Sequence, residues 1–110
     1  MTVYVLEFER PLGDLDNPHG SARYYVGFCD SDRELGDRLA EHRSGWGAAI
    51  TRAANQKGIG YRVVALLRGG TRDDERRLKR RKEMPRLIAR LRRQQPNAEV
   101  LDLAPLLGHD

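Results

Sequence analysis

Apolar and polar positions recur along the chain with two different periods, which separate candidate strands from candidate helices. Runs rich in β-branched, aromatic and aliphatic residues predict three strands, at 3–8, 22–28 and 61–68. Apolar or small residues at helical spacing predict four helices: one carrying residues 35–42, one at 48–56, one at 72–83 and one following Pro85. The order β-β-α-α-β-α-α predicts an α/β sandwich around a small sheet, with a single helical crossover between strands.

Glycine, proline and capping residues set the expected limits of these elements. Gly45 is expected to end the first helix, and Thr71 with Asp74 forms a capping box at the start of the third. Turn-forming residues fill positions 11–20, so we expect a long loop over residues 9–21 between the first two strands. Residues 100–103 could add a short strand.

The length of 110 residues predicts one domain, at 1–95, followed by an extension at 96–110 that packs on the domain or in an oligomer contact. The extension carries four leucines that could support a homodimer: Leu101, Leu103, Leu106 and Leu107. No apolar run approaches the roughly 20 residues of a membrane span, and no basic leader is visible, so no membrane partner is expected. The single cysteine, Cys29, excludes an internal disulfide and favours a reducing, cytoplasmic location.

Charge is unevenly distributed along the chain. The net charge is +4, but residues 72–93 contain eleven Lys or Arg against four Asp or Glu. A basic segment on a body that is otherwise slightly acidic predicts a polyanionic partner such as a nucleic acid backbone. The alternative is a solvated helix, because Arg and Lys are good helix formers that aid solubility.

Five residues form a candidate constellation for chemistry on phosphate. Tyr4 and Tyr25 lie on two strands expected to pair, Arg38 and His42 share a helix face at i, i+4, and Glu75 lies in the first turn of the basic helix. A carboxylate can hold a divalent cation, an arginine can offset charge on phosphoryl oxygens, and a phenol or imidazole can relay a proton. Each residue also has a structural explanation, as a half-buried strand tyrosine, a helix-end histidine or a member of a surface ion pair.

Five short motifs occur in the order and spacing in which they occur in the GIY-YIG nucleases, which this chain resembles over residues 2 to about 91. They are Val3-Tyr4, Tyr25-Val26-Gly27, Leu35-x-x-Arg38-x-x-x-His42, the segment Ser44–Ala48 followed by Thr51-Arg52, and Glu75 to Lys79 followed by Pro85-Arg86. The resemblance implies a three-stranded antiparallel sheet flanked by helices and a divalent-metal-dependent endonuclease acting on DNA, with RNA not excluded.

The resemblance also implies a role for each residue. Tyr4 and Tyr25 would line the scissile phosphate, and one of them, helped by His42, would act as general base. Arg38 would stabilise the transition state, and Glu75 would hold one Mg²⁺ or Mn²⁺ ion. The expected nucleic-acid contacts are Lys79, Arg76, Arg80, Arg52 and Arg43.

Two positions depart from the family pattern. Thr2 stands where the first motif has glycine, and Leu87 with Ile88 stands near where the repair-incision branch has an asparagine. Two rival functions therefore stay open. One is a catalytically weak nucleic-acid-binding or architectural module on the same fold, and the other is an interaction protein whose basic helix docks on an acidic protein.

Overall fold

The computed structural model describes residues 1–14, 17–80 and 83–108, without the side chains of residues 13–22. Within these ranges the chain forms an α+β domain with a four-stranded mixed sheet and four α-helices. The elements are β1 (Thr2–Asp14), β2 (Asn17–Cys29), α1 (Leu35–Ser44), α2 (Ala49–Gln56), β3 (Tyr61–Arg68), α3 (Arg72–Lys79), α4 (Met84–Gln94) and β4 (Leu101–Asp102). In the described ranges, no helix is long and apolar enough to cross a membrane.

The sheet has the strand order β2-β1-β3-β4, in which β1 runs antiparallel to both β2 and β3. The implied three-stranded antiparallel sheet is therefore incomplete, because β4 adds a parallel edge to β3 through the pairs Ala65–Leu101 and Leu66–Asp102. The backbone N–H of Leu103 then donates to the carbonyl of Leu66 over 2.9 Å. This pairing confirms the short strand that residues 100–103 suggested.

The prediction of a long loop at 9–21 is wrong. β1 continues to Asp14 and β2 begins at Asn17, so most of these residues extend the hairpin. The ladder is irregular here, with register shifts on both sides of Leu12, and such bulges accommodate residues that disfavour regular strands. Leu12 itself is buried against the sheet and pins the irregular stretch. Residues 15 and 16, at the tip of the predicted loop, lie outside the described residues.

Successive side chains of β1 point to opposite faces of the sheet, and both faces are covered. Val3 and Val5 join a core formed with α3, α4 and the C-terminal segment. Tyr4 and Leu6 face the other way, where Leu35 and Leu39 of α1 pack against them. The alternation of side chains along β1 therefore places a large structural core on one face of the sheet and helix α1, with its polar residues, on the other.

The C-terminal segment packs on the domain. Its four leucines (Leu101, Leu103, Leu106 and Leu107) are buried in the same core as α4. They are therefore not an exposed apolar surface, and they give no support to the homodimer contact that was expected from them. Leu87 and Ile88 of α4 are also buried in this core.

The helix limits are partly as expected. Gly45 ends α1 in a left-handed conformation with φ of 91°, and Thr71 and Asp74 form the expected capping box of α3. The third helix, predicted to run to residue 83, ends instead at Lys79. Pro85 lies in the first turn of α4, as predicted for a residue that lacks a backbone N–H.

Candidate active site

A hydrogen bond joins the first tyrosine to the histidine. The Tyr4 hydroxyl lies 2.7 Å from Nε2 of His42, and both residues are buried, with Tyr4 0% exposed. Tyr4 comes from the central strand β1 and His42 from the last turn of α1. The packing of Leu35 and Leu39 against the sheet holds α1 in the orientation that brings these two groups together.

Both imidazole nitrogens of His42 have hydrogen-bond partners. Nδ1 lies 3.0 Å from the Thr51 hydroxyl, which also donates to the carbonyl of Ala48 over 2.8 Å. The backbone N–H of Ala48 donates to the same Nδ1 over 3.4 Å, and Nε2 faces the Tyr4 hydroxyl. Thr51 and Ala48 therefore hold the ring in position, and either nitrogen can carry the proton of the neutral imidazole.

Burial keeps this pair neutral. It raises the pKa of Tyr4 well above its ordinary value, and the neighbouring Tyr25 adds to the effect. Burial lowers the pKa of His42, and the positive charge of Arg38 lowers it further. At neutral pH the site therefore contains a protonated phenol hydrogen-bonded to an uncharged imidazole, and an uncharged imidazole can accept a proton.

The second tyrosine lies on the same face of the hairpin. Tyr25 pairs across the ladder with Leu6, two positions from Tyr4. Its ring centroid is 6.4 Å from that of Tyr4 and 5.5 Å from that of His42. Unlike Tyr4, Tyr25 is only half-buried. The two phenols thus differ in solvent exposure. Tyr4 is buried against the imidazole, whereas Tyr25 is accessible to a ligand.

Two glycines make this close arrangement sterically feasible. Gly27 pairs with Tyr4 in the ladder, and a Cβ there would lie 2.5 Å from the Tyr4 hydroxyl and 2.9 Å from Cε1 of Tyr25. A Cβ on Gly47 would lie 2.2 Å from Nδ1 of His42. Both distances are far below van der Waals contact, so any larger residue would displace the rings.

Arg38 and Glu75 act on these rings through their charges. The Arg38 guanidinium opposes the rise in the pKa of Tyr25 that burial causes, and the Glu75 carboxylate adds to that rise. Arg38 is partly exposed and donates to Glu41 over 2.9 Å, the surface pairing that its helical spacing allowed. The structure thus brings all five predicted residues into one electrostatically coupled cluster, with Tyr4, Tyr25 and His42 in direct ring contact.

The carboxylate of Glu75 is nearly buried and has one ion-pair contact among the described residues. Its residue is 5% exposed, and its one ion-pair contact within the described residues is Nζ of Lys79 at 3.7 Å, too long for a hydrogen bond. A buried carboxylate needs a cation or several donors to offset its lost hydration. The capping box at Thr71 fixes the start of the helix whose first turn carries Glu75, and from there the carboxylate raises the pKa of Tyr25.

Glu75 offers one carboxylate as a ligand for a hard cation. Over the ranges that the structure describes, no group of three or more His, Cys, Asp or Glu side chains could hold a metal ion. Mg²⁺ does not require one, since it retains several waters and commonly binds through one or two carboxylates together with substrate phosphate.

The predicted nucleic-acid contacts fall into two groups. On α3, Arg76 pairs with Asp73 at 3.2 Å, Lys79 pairs with Glu75, and Arg80 has no ion-pair partner among the described residues. Arg43 and Arg52 lie on either side of the α1–α2 turn, where Nε of Arg52 donates to the carbonyl of Gly45 over 3.1 Å. Residues 81 and 82, which are also basic, lie outside the described part of the chain.

Thr51 is a member of the cluster that the sequence did not predict. It belongs to one of the short motifs, but nothing in its local pattern indicates a contact with an imidazole nine residues away. Two other polar residues have structural roles. Thr2 is buried and its hydroxyl bonds to Asp32, whereas the Asn55 amide donates to the His42 carbonyl over 2.7 Å at the end of α1.

Comparison of the chain with protein-family models, with curated proteins and with solved structures finds no match in any of the three. The function is therefore inferred from the chemistry of the clustered residues.

Proposed function

We propose that this chain is a small GIY-YIG-type endonuclease that hydrolyses phosphodiester bonds in DNA with the help of one divalent cation. The observation that carries the proposal is the hydrogen-bonded series Tyr4–His42–Thr51, in which an imidazole is held between a buried phenol and a hydroxyl, in ring contact with a second tyrosine. This arrangement is suited to removing a proton from an attacking water.

His42 helps a tyrosine act as general base. The Tyr4 hydroxyl accepts the proton of the attacking water while it passes its own proton to Nε2 of His42, 2.7 Å away. Tyr25, the half-buried phenol, contacts the phosphate and the attacking water. Once His42 becomes an imidazolium, its Nδ1–H donates to the hydroxyl of Thr51, which keeps the ring in place. Tyr4 must therefore keep its hydroxyl, because a phenylalanine there can neither accept nor pass on the proton.

Arg38 and Glu75 act on the phosphate. The Arg38 guanidinium, freed from its exposed pairing with Glu41, offsets charge on the phosphoryl oxygens, a type of interaction worth about 10²- to 10³-fold in rate. The nearly buried carboxylate of Glu75 would hold Mg²⁺ or Mn²⁺. A cation bound there polarises the phosphate and lowers the pKa of water.

The basic side chains position the substrate. Arg76, Lys79 and Arg80 on α3, with Arg43 and Arg52 beside the α1–α2 turn, contact the phosphate backbone without reading sequence. Arg80→Ala should reduce the slope of log affinity against log salt concentration by about one. An unchanged slope would remove α3 from the binding face.

The decisive experiment compares two carboxylates in the same helical turn. Glu75→Gln should abolish cleavage of labelled DNA in Mg²⁺ or Mn²⁺, because a neutral amide is a poor ligand for a hard cation. Asp73→Asn is the matched control, since its carboxylate is exposed and pairs with Arg76 on the outer face of α3. The control should cut at the wild-type rate, and chelator should stop both active proteins.

Cleavage by the Glu75→Gln variant at the wild-type rate would contradict the metal assignment. A wild-type protein that cuts neither single-stranded, duplex nor branched DNA, nor RNA, with either metal would contradict the nuclease proposal itself.

A second candidate function is a non-catalytic nucleic-acid-binding module. The contact between Lys79 and Glu75 favours it, because the lysine partly neutralises the carboxylate without a metal. Such a module would bind DNA with a steep salt dependence, would not cut it, and would bind equally well in chelator. The nuclease proposal instead requires metal-dependent cutting that Glu75→Gln removes.

A further inference from the structure

Trp46 is the chain's single tryptophan, and its side chain is 86% exposed. An indole is among the side chains that gain most from burial, and it is seldom left almost fully in water. Val100, the other large exposed apolar residue in the described part of the chain, is 42% exposed. Nothing in the packing of the domain requires an indole at this position.

The backbone that carries Trp46 is held firmly. Its N–H donates to the carbonyl of Glu41 over 3.1 Å, which closes the end of α1. Gly45, in its left-handed conformation, makes the turn, and its carbonyl accepts from Arg52 over 3.1 Å. The attachment point of the indole is therefore ordered before any ligand arrives, which lowers the entropic cost of using it in binding.

The turn adjoins the candidate active site. Gly47, the next residue, lies so close to the His42 imidazole that it has no room for a Cβ. Trp46 is thus one residue from a backbone position in contact with the imidazole that is hydrogen-bonded to Tyr4. Two cations flank it: Arg43 precedes it on α1, and Arg52 bonds to the residue before it.

An exposed aromatic ring between arginines is the combination that binds single-stranded nucleic acid, because a base stacks on the ring while the cations hold the backbone. We propose that Trp46 stacks on an unpaired base beside the scissile phosphate, so that the chain prefers single-stranded DNA or an unpaired nucleotide over continuous duplex. The inference rests on the proposed nucleic-acid site and specifies its substrate class. Duplex bases are stacked on each other, so their faces are not open to the indole.

The test uses Trp46 as its own reporter, since no other tryptophan contributes to the fluorescence. A single-stranded oligothymidine and a matched duplex are titrated into wild-type protein in chelator, which prevents cutting. Tryptophan fluorescence reports stacking, and the anisotropy of dye-labelled DNA reports binding independently. With the single strand, we expect the tryptophan fluorescence to be quenched and the quenching to saturate at the same DNA concentration as the anisotropy. With duplex, we expect weaker binding and little quenching.

Variants then measure how much the ring contributes. Trp46→Ala should weaken single-strand binding by about 5- to 150-fold, the range for loss of one base–aromatic stack, and should leave duplex binding within about twofold. Trp46→Phe should restore most of the affinity, and Val100→Ala, the control for loss of an exposed apolar side chain, should bind as wild type. Because the side chain is exposed, the thermal midpoint of each variant should match that of wild type.

The outcomes separate this inference from the proposed nuclease. Binding by anisotropy without quenching, or unchanged single-strand binding by Trp46→Ala, would overturn stacking and leave the nucleic-acid site standing. Absence of binding to both DNAs would overturn both. Quenching and weakened Trp46→Ala binding without any metal-dependent cutting would support stacking and contradict the nuclease.

Discussion

Gly27 should be intolerant of even one added carbon, because it lies between the two tyrosines. The alanine Cβ would lie 2.5 Å from both Cζ and the hydroxyl oxygen of Tyr4, where an ordinary contact is about 3.5 Å. The tyrosine ring must therefore move by about 1 Å. Its hydroxyl now lies 2.7 Å from His42, and an extra 1 Å takes it outside hydrogen-bonding distance.

Two magnitudes follow from this displacement. Overpacking of a buried site costs about 1–3 kcal/mol, so Gly27→Ala should lower the free energy of unfolding by about 2 kcal/mol. For a domain of this size that is a fall of about 8 °C in thermal midpoint. A misplacement of about 1 Å in a catalytic group also costs about 10²-fold in rate, so cleavage by the folded variant should fall by that factor.

The assay combines thermal unfolding by circular dichroism with single-turnover cleavage well below the midpoint. Gly36→Ala is the control, because a Cβ at this position in α1 meets no atom within 4 Å. It should be as stable as wild type or more stable by about 0.5–1 kcal/mol, since alanine is the better helix former, and should cut normally. The Tyr4→Leu substitution removes the colliding atoms of Tyr4. In that background, Gly27→Ala should lower the free energy of unfolding by less than it does in the wild-type protein.

Gly27→Ala with a wild-type midpoint would refute the steric reasoning. So would an equal destabilisation in the Tyr4→Leu background, because the collision with Tyr4 would then not be the cause. A strongly destabilised variant that still cuts at the wild-type rate would refute the claim that this contact positions the catalytic hydroxyl.

Three further perturbations test other parts of the structure. Burial alone would raise the pKa of Glu7, but hydrogen bonds from Tyr24 and Arg92 and the charge of Arg92 hold it below its ordinary value of 4.5. Glu7→Gln should therefore lower the free energy of unfolding, measured with urea at pH 7, by about 1 kcal/mol. The difference from wild type should vanish as the pH falls through the folded-state pKa of Glu7. A difference that does not depend on pH would contradict this prediction. Thr51→Val should lower the free energy of unfolding by about 1–3 kcal/mol and reduce cleavage, because it removes the hydroxyl that contacts Nδ1 of His42, whereas Thr51→Ser should retain both properties. Thr71→Ala should cost about 1 kcal/mol by removing the N-cap of α3, and Thr71→Ser, measured in the same melts, should restore it.

Local chemistry was a reliable guide where one segment decides its own conformation. Gly45 ends α1 because only a residue without a Cβ readily adopts its φ of 91°, and that preference belongs to the residue. The capping box of Thr71 and Asp74 joins two groups three residues apart, so its spacing is visible in the chain. The strand at residues 61–68 was also predicted with the limits that β3 has.

The local sequence pattern gave a wrong prediction at the hairpin of β1 and β2. Pro11 and its polar neighbours favour turns, yet β1 and β2 pair past them because bulges absorb the misfit and Leu12 gains burial. The fourth strand, only two residues long, exists because β3 offers an unpaired edge and the leucines after it fill the core. In both cases the deciding partner is distant in sequence.

The sequence by itself determined the helix limits at Gly45 and Thr71, the alternation that turns Tyr4 away from the main core, and the five polar residues of the candidate site. Only the tertiary structure decided that Tyr4 contacts His42 across 38 positions, that Thr51 contacts the same imidazole, and that Gly27 leaves room for the two tyrosine rings. The physical reason is the separation along the chain over which each kind of interaction acts. Backbone preferences and caps act over about one helical turn, whereas hydrogen-bond partners, burial and steric room at the site depend on how separate elements pack.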